Sequence, residues 1–412
     1  MKFFFPDSQD QVAPGFDFVS EEHSPHRIRQ RDDLYAHEVL SYPPFDGILV
    51  SKAIVDGTPN AAGKYTLAQR NRLYREGVRR FFRLDSVAGP RLATLGDCGA
   101  FSYVREEVPP YSPDDVIDFY AECGFDLGVS VDHIILIFAG NDRAGELGDL
   151  WQERQQVTLE LAAKFRAACQ ARRVRFEPVG VAQGWSPRSY LVAVAALQRM
   201  GYRRIALGGM VPLKTKEILQ CLRAIDEVRR PDTQLHLLGI TRCDSLQAFT
   251  AHGVASFDST SAFRQAFKDD HDNYYSLAHN YTAVRVPQVD GNPKLKAKIR
   301  AGRLRQGQAI HREQACLQLL RAYDAGATTI DRLLDALRAY DELLWDGRLD
   351  RTDAYRQLLE DQPWKRCPCG ICGAAGIDVA IFRGSERNKR RGFHNVFVFH
   401  QRLVRELAAI TP

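Results

Sequence analysis

Between about residues 45 and 260 the chain repeats one pattern: a short apolar run, a polar loop, then a helix-length stretch with one apolar face. The apolar runs fall at 47–55, 91–101, 125–131, 175–183, 204–210, 235–240 and 254–258. Most are continuous rather than alternating, as expected of parallel strands buried on both faces. Helical periodicity occupies 114–123, 151–172, 187–200, 216–229 and 245–252. Strand–helix alternation predicts a parallel sheet. Seven such runs, with an eighth strand not visible in the pattern, favour a closed (β/α)8 TIM barrel over an open doubly wound sheet. No Gly-x-Gly-x-x-Gly turn follows the first run, so the dinucleotide-binding fingerprint is missing.

Beyond about residue 285 the repeat stops. A basic stretch at 293–305 (PKLKAKIRAGRLR) leads into helical periodicity over roughly 309–345, and then into a cysteine cluster. The predicted organisation is a barrel catalytic domain with an N-terminal extension over 1–290, a basic helical insertion over 291–363, and a zinc-binding subdomain over 364–412.

Composition narrows the class. Hydrophobic residues make up 45% of the chain, enough for a packed core. No apolar run reaches the roughly 18 residues needed to span a bilayer. The N-terminus MKFFFPDSQDQ lacks the length and cleavage site of a signal peptide. A cytoplasmic protein without membrane partners is expected. Six of the nine cysteines are scattered and three crowd together, which favours a metal site over a disulfide framework. The net charge of +5 says little about nucleic acid, but the basic residues concentrate in the last third.

Barrel enzymes place their chemistry at the carboxyl ends of the strands. Here those ends carry Asp97, Asp132, Gln183-Gly184, Gly208-Gly209 and Asp258. A single strand-end Asp is often only a helix cap. Three carboxylates, a glutamine and a Gly-Gly pair on one rim describe a polar site.

The cluster Cys367-Pro-Cys369-Gly-Ile-Cys372 offers three thiols, and His394 or His400 can complete a tetrahedral Cys3His set. With four protein ligands such a zinc site is structural. Nearby runs a basic segment containing Arg383, Arg387, Lys389, Arg390 and Arg391, which is expected to grip nucleic-acid phosphates.

These pieces, in this order, resemble the tRNA-guanine transglycosylase superfamily, zinc-containing (β/α)8 barrels. The relevant stretches are Asp97-Cys-Gly-Ala-Phe101, Ala182-Gln183-Gly184, Ala206-Leu207-Gly208-Gly209-Met210, Leu237-Leu238-Gly239-Ile240 and Gly253-Val-Ala-Ser-Phe257-Asp258. The Cys-x-Cys-x-x-Cys…His-Asn set matches Cys367, Cys369, Cys372 and His394, and so selects His394 over His400. The resemblance covers roughly 45–270 and 365–405. Departures occur at Cys98-Gly99-Ala100, at Trp185 and at Lys214, where the bacterial tRNA enzymes carry other residues. These, with the N-terminal region and the Arg-Asn-Lys-Arg-Arg-Gly-Phe-His-Asn segment, are most similar to the DNA-modifying 7-deazaguanine branch. Its members insert 7-cyano-7-deazaguanine in place of guanine.

The resemblance implies a pentosyltransferase that exchanges guanine in DNA through a covalent glycosyl intermediate. Asp258 is the implied nucleophile and Asp97 the general acid/base. Asp132, Gln183, Gly208 and Gly209 are implied to hold the base edge. Phe101 would stack on the base, opposite Leu238 or Met210. Duplex DNA would have to yield the base by flipping, and helper proteins that open the duplex are a further expected partner. A tRNA-guanine transglycosylase and a noncatalytic nucleic-acid-binding subunit are the alternatives. Cys98 is expected to be a buried thiol, and His133 a core histidine.

Overall fold

The strand missing from the repeat lies at the N-terminus, where Lys2–Pro6 forms β1. In the computed structural model, which describes residues 1–86, 88–139, 149–268 and 271–409, β1 pairs in parallel with two other strands. These are β2 (Gly47–Ser51) and β8 (Val254–Asp258), so β1 closes the barrel. Between them run β3 (Ala93–Asp97), β4 (Leu127–Val129), β5 (Glu177–Ala182), β6 (Arg204–Leu207) and β7 (Gln234–Leu237). Each pairs with its sequence neighbour, giving the closed order β1 to β8.

Phe4, Leu49, Leu95, Leu127, Val129, Val179, Val181 and Ala206 form one buried cluster contributed by successive strands. Each fully buried side chain of this kind stabilises the fold by roughly 1.5–3 kcal/mol. Side chains alternate along a strand. Two residues beyond Leu95 lies Asp97, and two beyond Val181 lies Gln183, so the core pattern itself delivers polar groups to the rim.

The outer helices include α1 (Leu67–Phe81), α2 (Pro113–Cys123), α3 (Asp149–Ala171), α4 (Pro187–Arg199), α5 (Thr215–Asp226) and α6 (Leu246–Ala251). Local sequence starts them cleanly. The hydroxyls of Thr66, Ser112 and Ser186 accept the free N–H groups of Gln69, Asp115 and Ser189. Pro113 and Pro187 occupy the first helical turn, where no N–H is needed. None of the helices among the described residues is long and apolar enough to cross a membrane.

The chain forms two compact units, and their boundaries differ from the expected three-part division. One unit comprises residues 1–9, 45–260 and 402–412; the other comprises 10–44 and 261–401. The N-terminal extension, the helical insertion and the cysteine segment therefore share a unit. That unit contains β9 (Tyr274–Tyr275) with β10 (Asn280–Tyr281), and β11 (Val284–Arg285) with β12 (Ile381–Phe382). Its longer helices include α7 (Pro293–Arg300), α8 (Gln306–Asp324), α9 (Ile330–Trp345), α10 (Thr352–Asp361), α11 (Gly370–Ala375) and most of α12 (Gly384–Ala408).

Here the structure corrects the reading of the basic segment. Arg383, Arg387, Arg390 and Arg391 are buried, at 3%, 1%, 7% and 0% exposure. Arg383 binds Glu21 at 2.6 Å and Glu313 at 2.6 Å. Arg387 binds Asp378 at 2.8 Å and also reaches Glu21. Arg390 meets Glu386 at 2.5 Å and the Ala13 carbonyl. Arg391 donates to the carbonyls of Ile381 at 3.0 Å and Ala266 at 2.5 Å. Even Lys389, half-buried, donates to the Gln11 carbonyl at 3.1 Å. Guanidinium groups buried inside a unit have no face left for DNA phosphates. Arg387, Lys389 and Arg390 tie the 10–44 segment to α12, with Arg383 just before it, while Arg391 ties the helix to Ile381 and Ala266.

Candidate active site and metal centre

Asp97 and Asp258 end β3 and β8, and Asp132 follows β4 after the fully buried Ser130 and Val131. The structure brings all three to one rim. Burial pushes the Asp97 carboxyl up to about 8, with the charges of Asp132 and Asp258 acting in the same direction. The N–H groups of Gly99 and Cys98 pull weakly against that rise. A carboxylic acid that holds its proton near neutral pH can both give it and take it back.

Asp132 is 2% exposed, and burial raises its pKa while its hydrogen bonds restrain the rise. Its Oδ2 accepts from Gln183 Nε2 at 2.6 Å and its Oδ1 from the Cys98 thiol at 3.1 Å. Tyr103 Oη donates in turn to the Cys98 sulfur at 3.0 Å. Cys98 is thus a fully buried linker whose pKa burial drives far up, not a reactive thiol. Gln183 cannot turn over, because its Oε1 accepts the Ile135 N–H at 3.1 Å. The Gly208-Gly209 pair lies flat against it. A Cβ on Gly208 would sit 2.1 Å from Gln183 Nε2, and one on Gly209 (φ +72°) would sit 2.2 Å from the Ile135 carbonyl oxygen. His133 donates its backbone N–H to Thr158, and its ring meets the Glu106 carbonyl at 3.0 Å.

Of the aromatic and apolar candidates, Phe101 is 56% exposed on the short turn after β3. Met210 has no exposed surface, so it has none from which to face a base. Leu238, half-buried against the barrel core, is the remaining candidate.

Asp258 is 6% exposed, and its Oδ1 accepts from Gly239 N at 3.0 Å and pairs with His236 Nε2 at 3.1 Å. The other ring nitrogen, Nδ1, lies 2.8 Å from Ser256 Oγ. Sequence reasoning missed His236. A histidine between two buried leucines, Leu235 and Leu237, was the available signal.

In the other unit, the sulfurs of Cys367, Cys369 and Cys372 and a nitrogen of His394 lie within 4.8 Å of one another and could hold a metal ion. His394 Nδ1 is 3.6, 3.5 and 3.3 Å from the three sulfurs. Its Nε2 faces the Tyr275 carbonyl at 2.8 Å, which turns Nδ1 towards the thiols. Tyr274 stacks on the imidazole, with ring centroids 4.5 Å apart. Asn395 holds the same strand, accepting from Tyr275 N at 2.9 Å and donating to the Asn273 carbonyl at 3.1 Å. The choice between the two histidines falls on His394.

Fold and rim together define a (β/α)8 barrel enzyme with carboxylates at the carboxyl ends of its strands. No family model matches the chain. It is 48% identical over 410 residues to the DNA-guanine transglycosylase of Salmonella montevideo, covering 98% of this chain and 96% of that protein. The chain belongs to the DNA-guanine transglycosylase family.

Proposed function

We propose that the protein exchanges guanine in DNA for a 7-deazaguanine, 7-cyano-7-deazaguanine above all, through a covalent bond between Asp258 and the sugar. One observation carries the reading: Asp258 has one oxygen that accepts the Gly239 N–H and meets His236 Nε2, beside an Asp97 whose carboxyl burial pushes up to about 8. Asp258 Oδ2 attacks C1′ as the C1′–N9 bond breaks, and Asp97 gives its proton to the departing guanine. The incoming base then loses its N9 proton to the Asp97 carboxylate and displaces Asp258 from C1′. The proton is conserved over the cycle, and no external acid is consumed. Asp132 suits the N1–H and amino edge that guanine and 7-deazaguanines share, with Gln183 and Gly208-Gly209 shaping the pocket around it. Phe101 offers a stacking face.

Cys367, Cys369, Cys372 and His394 would hold zinc. In a tetrahedral site with Zn–S about 2.3 Å and Zn–N about 2.0–2.1 Å, ligand atoms lie roughly 3.5–3.8 Å apart, and the observed 3.3–3.6 Å sulfur–nitrogen separations are close to that. Four protein ligands leave no open position, so the ion would cross-link the fold. Of the two basic stretches expected to contact phosphates, the buried arginines drop out and the run around α7 remains. There Lys294, Lys296, Arg300, Arg303 and Arg305 are exposed, while Lys298 is engaged by Asp346 at 2.7 Å.

The test offers 7-cyano-7-deazaguanine with plasmid DNA or with tRNA, with and without candidate duplex-opening proteins, followed by digestion to nucleosides and mass spectrometry. The modified nucleoside should appear in DNA. Its appearance in tRNA alone, under every condition, rejects the DNA reading. Asp258→Asn should abolish exchange and leave DNA binding near wild type; comparable exchange by that variant would falsify the nucleophile assignment.

A further inference from the structure

The pairing of β7 with β8 contains an irregularity of register. Leu235 pairs with Val254, but the next residue, His236, pairs with Ser256, so one strand carries an extra residue at this point. Bulges of this kind re-aim side chains and gather near active sites. Here the shift sets His236 opposite Ser256, two residues before Asp258 on the same face of β8. His236 is 2% exposed and Ser256 is 3% exposed, so water does not compete for their polar atoms. Phe4 closes the ring from the side, edge-on with centroids 5.8 Å apart. The result is an unbroken line from Ser256 Oγ to His236 Nδ1 at 2.8 Å and from His236 Nε2 to Asp258 Oδ1 at 3.1 Å.

We propose that His236, fixed by Ser256, is the positioning residue of the nucleophile: it holds Asp258 Oδ1 so that Oδ2 alone meets C1′. The inference rests on the assignment of Asp258 under Proposed function. Ionised Asp258 can only accept, so His236 donates Nε2–H to it. In the neutral imidazole Nδ1 is then the acceptor, and the Ser256 hydroxyl donates to it. With Gly239 N–H as second donor, Oδ1 is locked and the carboxylate cannot rotate to offer either oxygen indifferently. When the ester between Oδ2 and C1′ breaks, the electron pair returns to the carboxylate, where these two N–H groups stabilise it as a leaving group. His236 therefore acts on both halves of the exchange without touching the substrate.

The experiment compares His236→Phe, His236→Gln and Ser256→Ala with wild type and Asp258→Asn. His236→Phe keeps the ring volume and removes both nitrogens. It should lower kcat at least tenfold, change KM for the incoming base less than threefold, and leave DNA affinity and melting temperature near wild type. The steady-state fraction of covalent protein–DNA adduct, read on denaturing gels, should rise per turnover, because the leaving carboxylate has lost a donor. His236→Gln, which retains a donor, should recover part of kcat, and Ser256→Ala should fall between wild type and His236→Phe. A folded His236→Phe with kcat within threefold of wild type overturns the proposal, as does a loss of kcat matched by equal losses of DNA binding and melting temperature. Nitrogen-15 NMR of the imidazole provides a reading independent of turnover. The Nε2–H tautomer is expected, with a proton slow to exchange and released in Asp258→Ala. An Nδ1–H tautomer sinks the proposal whatever the substrate proves to be. If instead His236→Phe exchanges guanine at a rate within threefold of wild type while Asp258→Asn does not exchange it, the nucleophile stands and the positioning role falls.

Discussion

At the scale of single residues, Asp97 makes the most direct prediction. Its carboxyl titrates near 8 in the folded protein against an ordinary value of 3.8. As an acid towards the departing guanine it must carry its proton, so kcat/KM should fall as pH rises through about 8. Asp97→Asn should abolish that limb together with most of the activity. Stability follows the same titration in a defined direction. Between pH 4 and 8, roughly, the folded state binds a proton that the unfolded state has released, so stability falls with rising pH across this window. Asp97→Asn removes that loss, so its melting temperature should exceed that of wild type most clearly at pH 9. A variant less stable than wild type at pH 9 would show that the carboxyl is not held protonated. Asp97, Asp132 and Asp258 were legible in the sequence because strand ends in a parallel barrel face one rim. His236 showed only as a histidine between two leucines, because its placement beside Asp258 depends on a bulge, and one extra residue in a strand leaves no periodic signal.

At the scale of elements, the loop after β6 is set by its two glycines. Gly209 has φ +72°, and any Cβ there would meet the Ile135 carbonyl oxygen at 2.2 Å. The left-handed backbone alone costs a residue with a Cβ about 1–2 kcal/mol, and the clash adds to it. Gly209→Ala should therefore lower the urea midpoint and weaken base binding, because Gln183 must move with the loop. An unchanged midpoint would contradict the close approach. In the other unit, metal removal is the corresponding test. Binding energy at such a cluster is folding energy, so Cys369→Ser or a strong chelator should destabilise this unit, with zinc content measured by plasma emission falling alongside. Wild-type protein purified without any zinc would reject the assignment.

The same scale explains what the sequence concealed. Arg387, Arg390 and Arg391 lie in α12 at spacings of three and four residues from Arg387, with Arg383 just before the helix, so one face of α12 presents the three together. Read as a run they look like a phosphate grip; read at helical spacing they form a buried stripe. Glu21, the acidic partner of Arg383 and Arg387, lies 362 residues from Arg383. No local pattern connects residues that far apart. Strand β1 escaped for a similar reason: Lys2–Pro6 stands apart from the repeat, and only pairing with β8 gives it meaning.

For the whole molecule, exposed charge is what remains to meet the polymer. Phosphate contacts release counterions, so DNA affinity should fall steeply with salt. Replacing Lys296, Arg300 and Arg303 by Gln should reduce the slope of log affinity against log salt by up to about three. Neutralising Arg387 and Arg391 should instead lower the melting temperature and leave the slope unchanged in whatever protein remains folded. Equal slopes for the first variant and wild type would move the DNA contact elsewhere. The barrel and its rim were readable because their pattern repeats; the two-unit division was not, since it joins stretches remote in sequence.

The distance between Glu21 and its arginines has a consequence for synthesis. The ribosome releases the 10–44 segment early, and the arginines that neutralise Glu21 follow 362 and 366 residues later. At about 5–20 residues per second that is roughly 20–70 seconds of waiting. During that interval Phe16 and Phe18 lack the guanidinium groups of Arg390 and Arg387 that later cover them. The barrel waits as well, since β1 cannot close until β8 has been made. Nascent chains arrested before residue 383 should therefore be cut by protease within 10–44, whereas full-length protein resists there. Slower elongation should lower the yield of folded protein, because it prolongs the time in which the earliest part of the chain has nothing to bind.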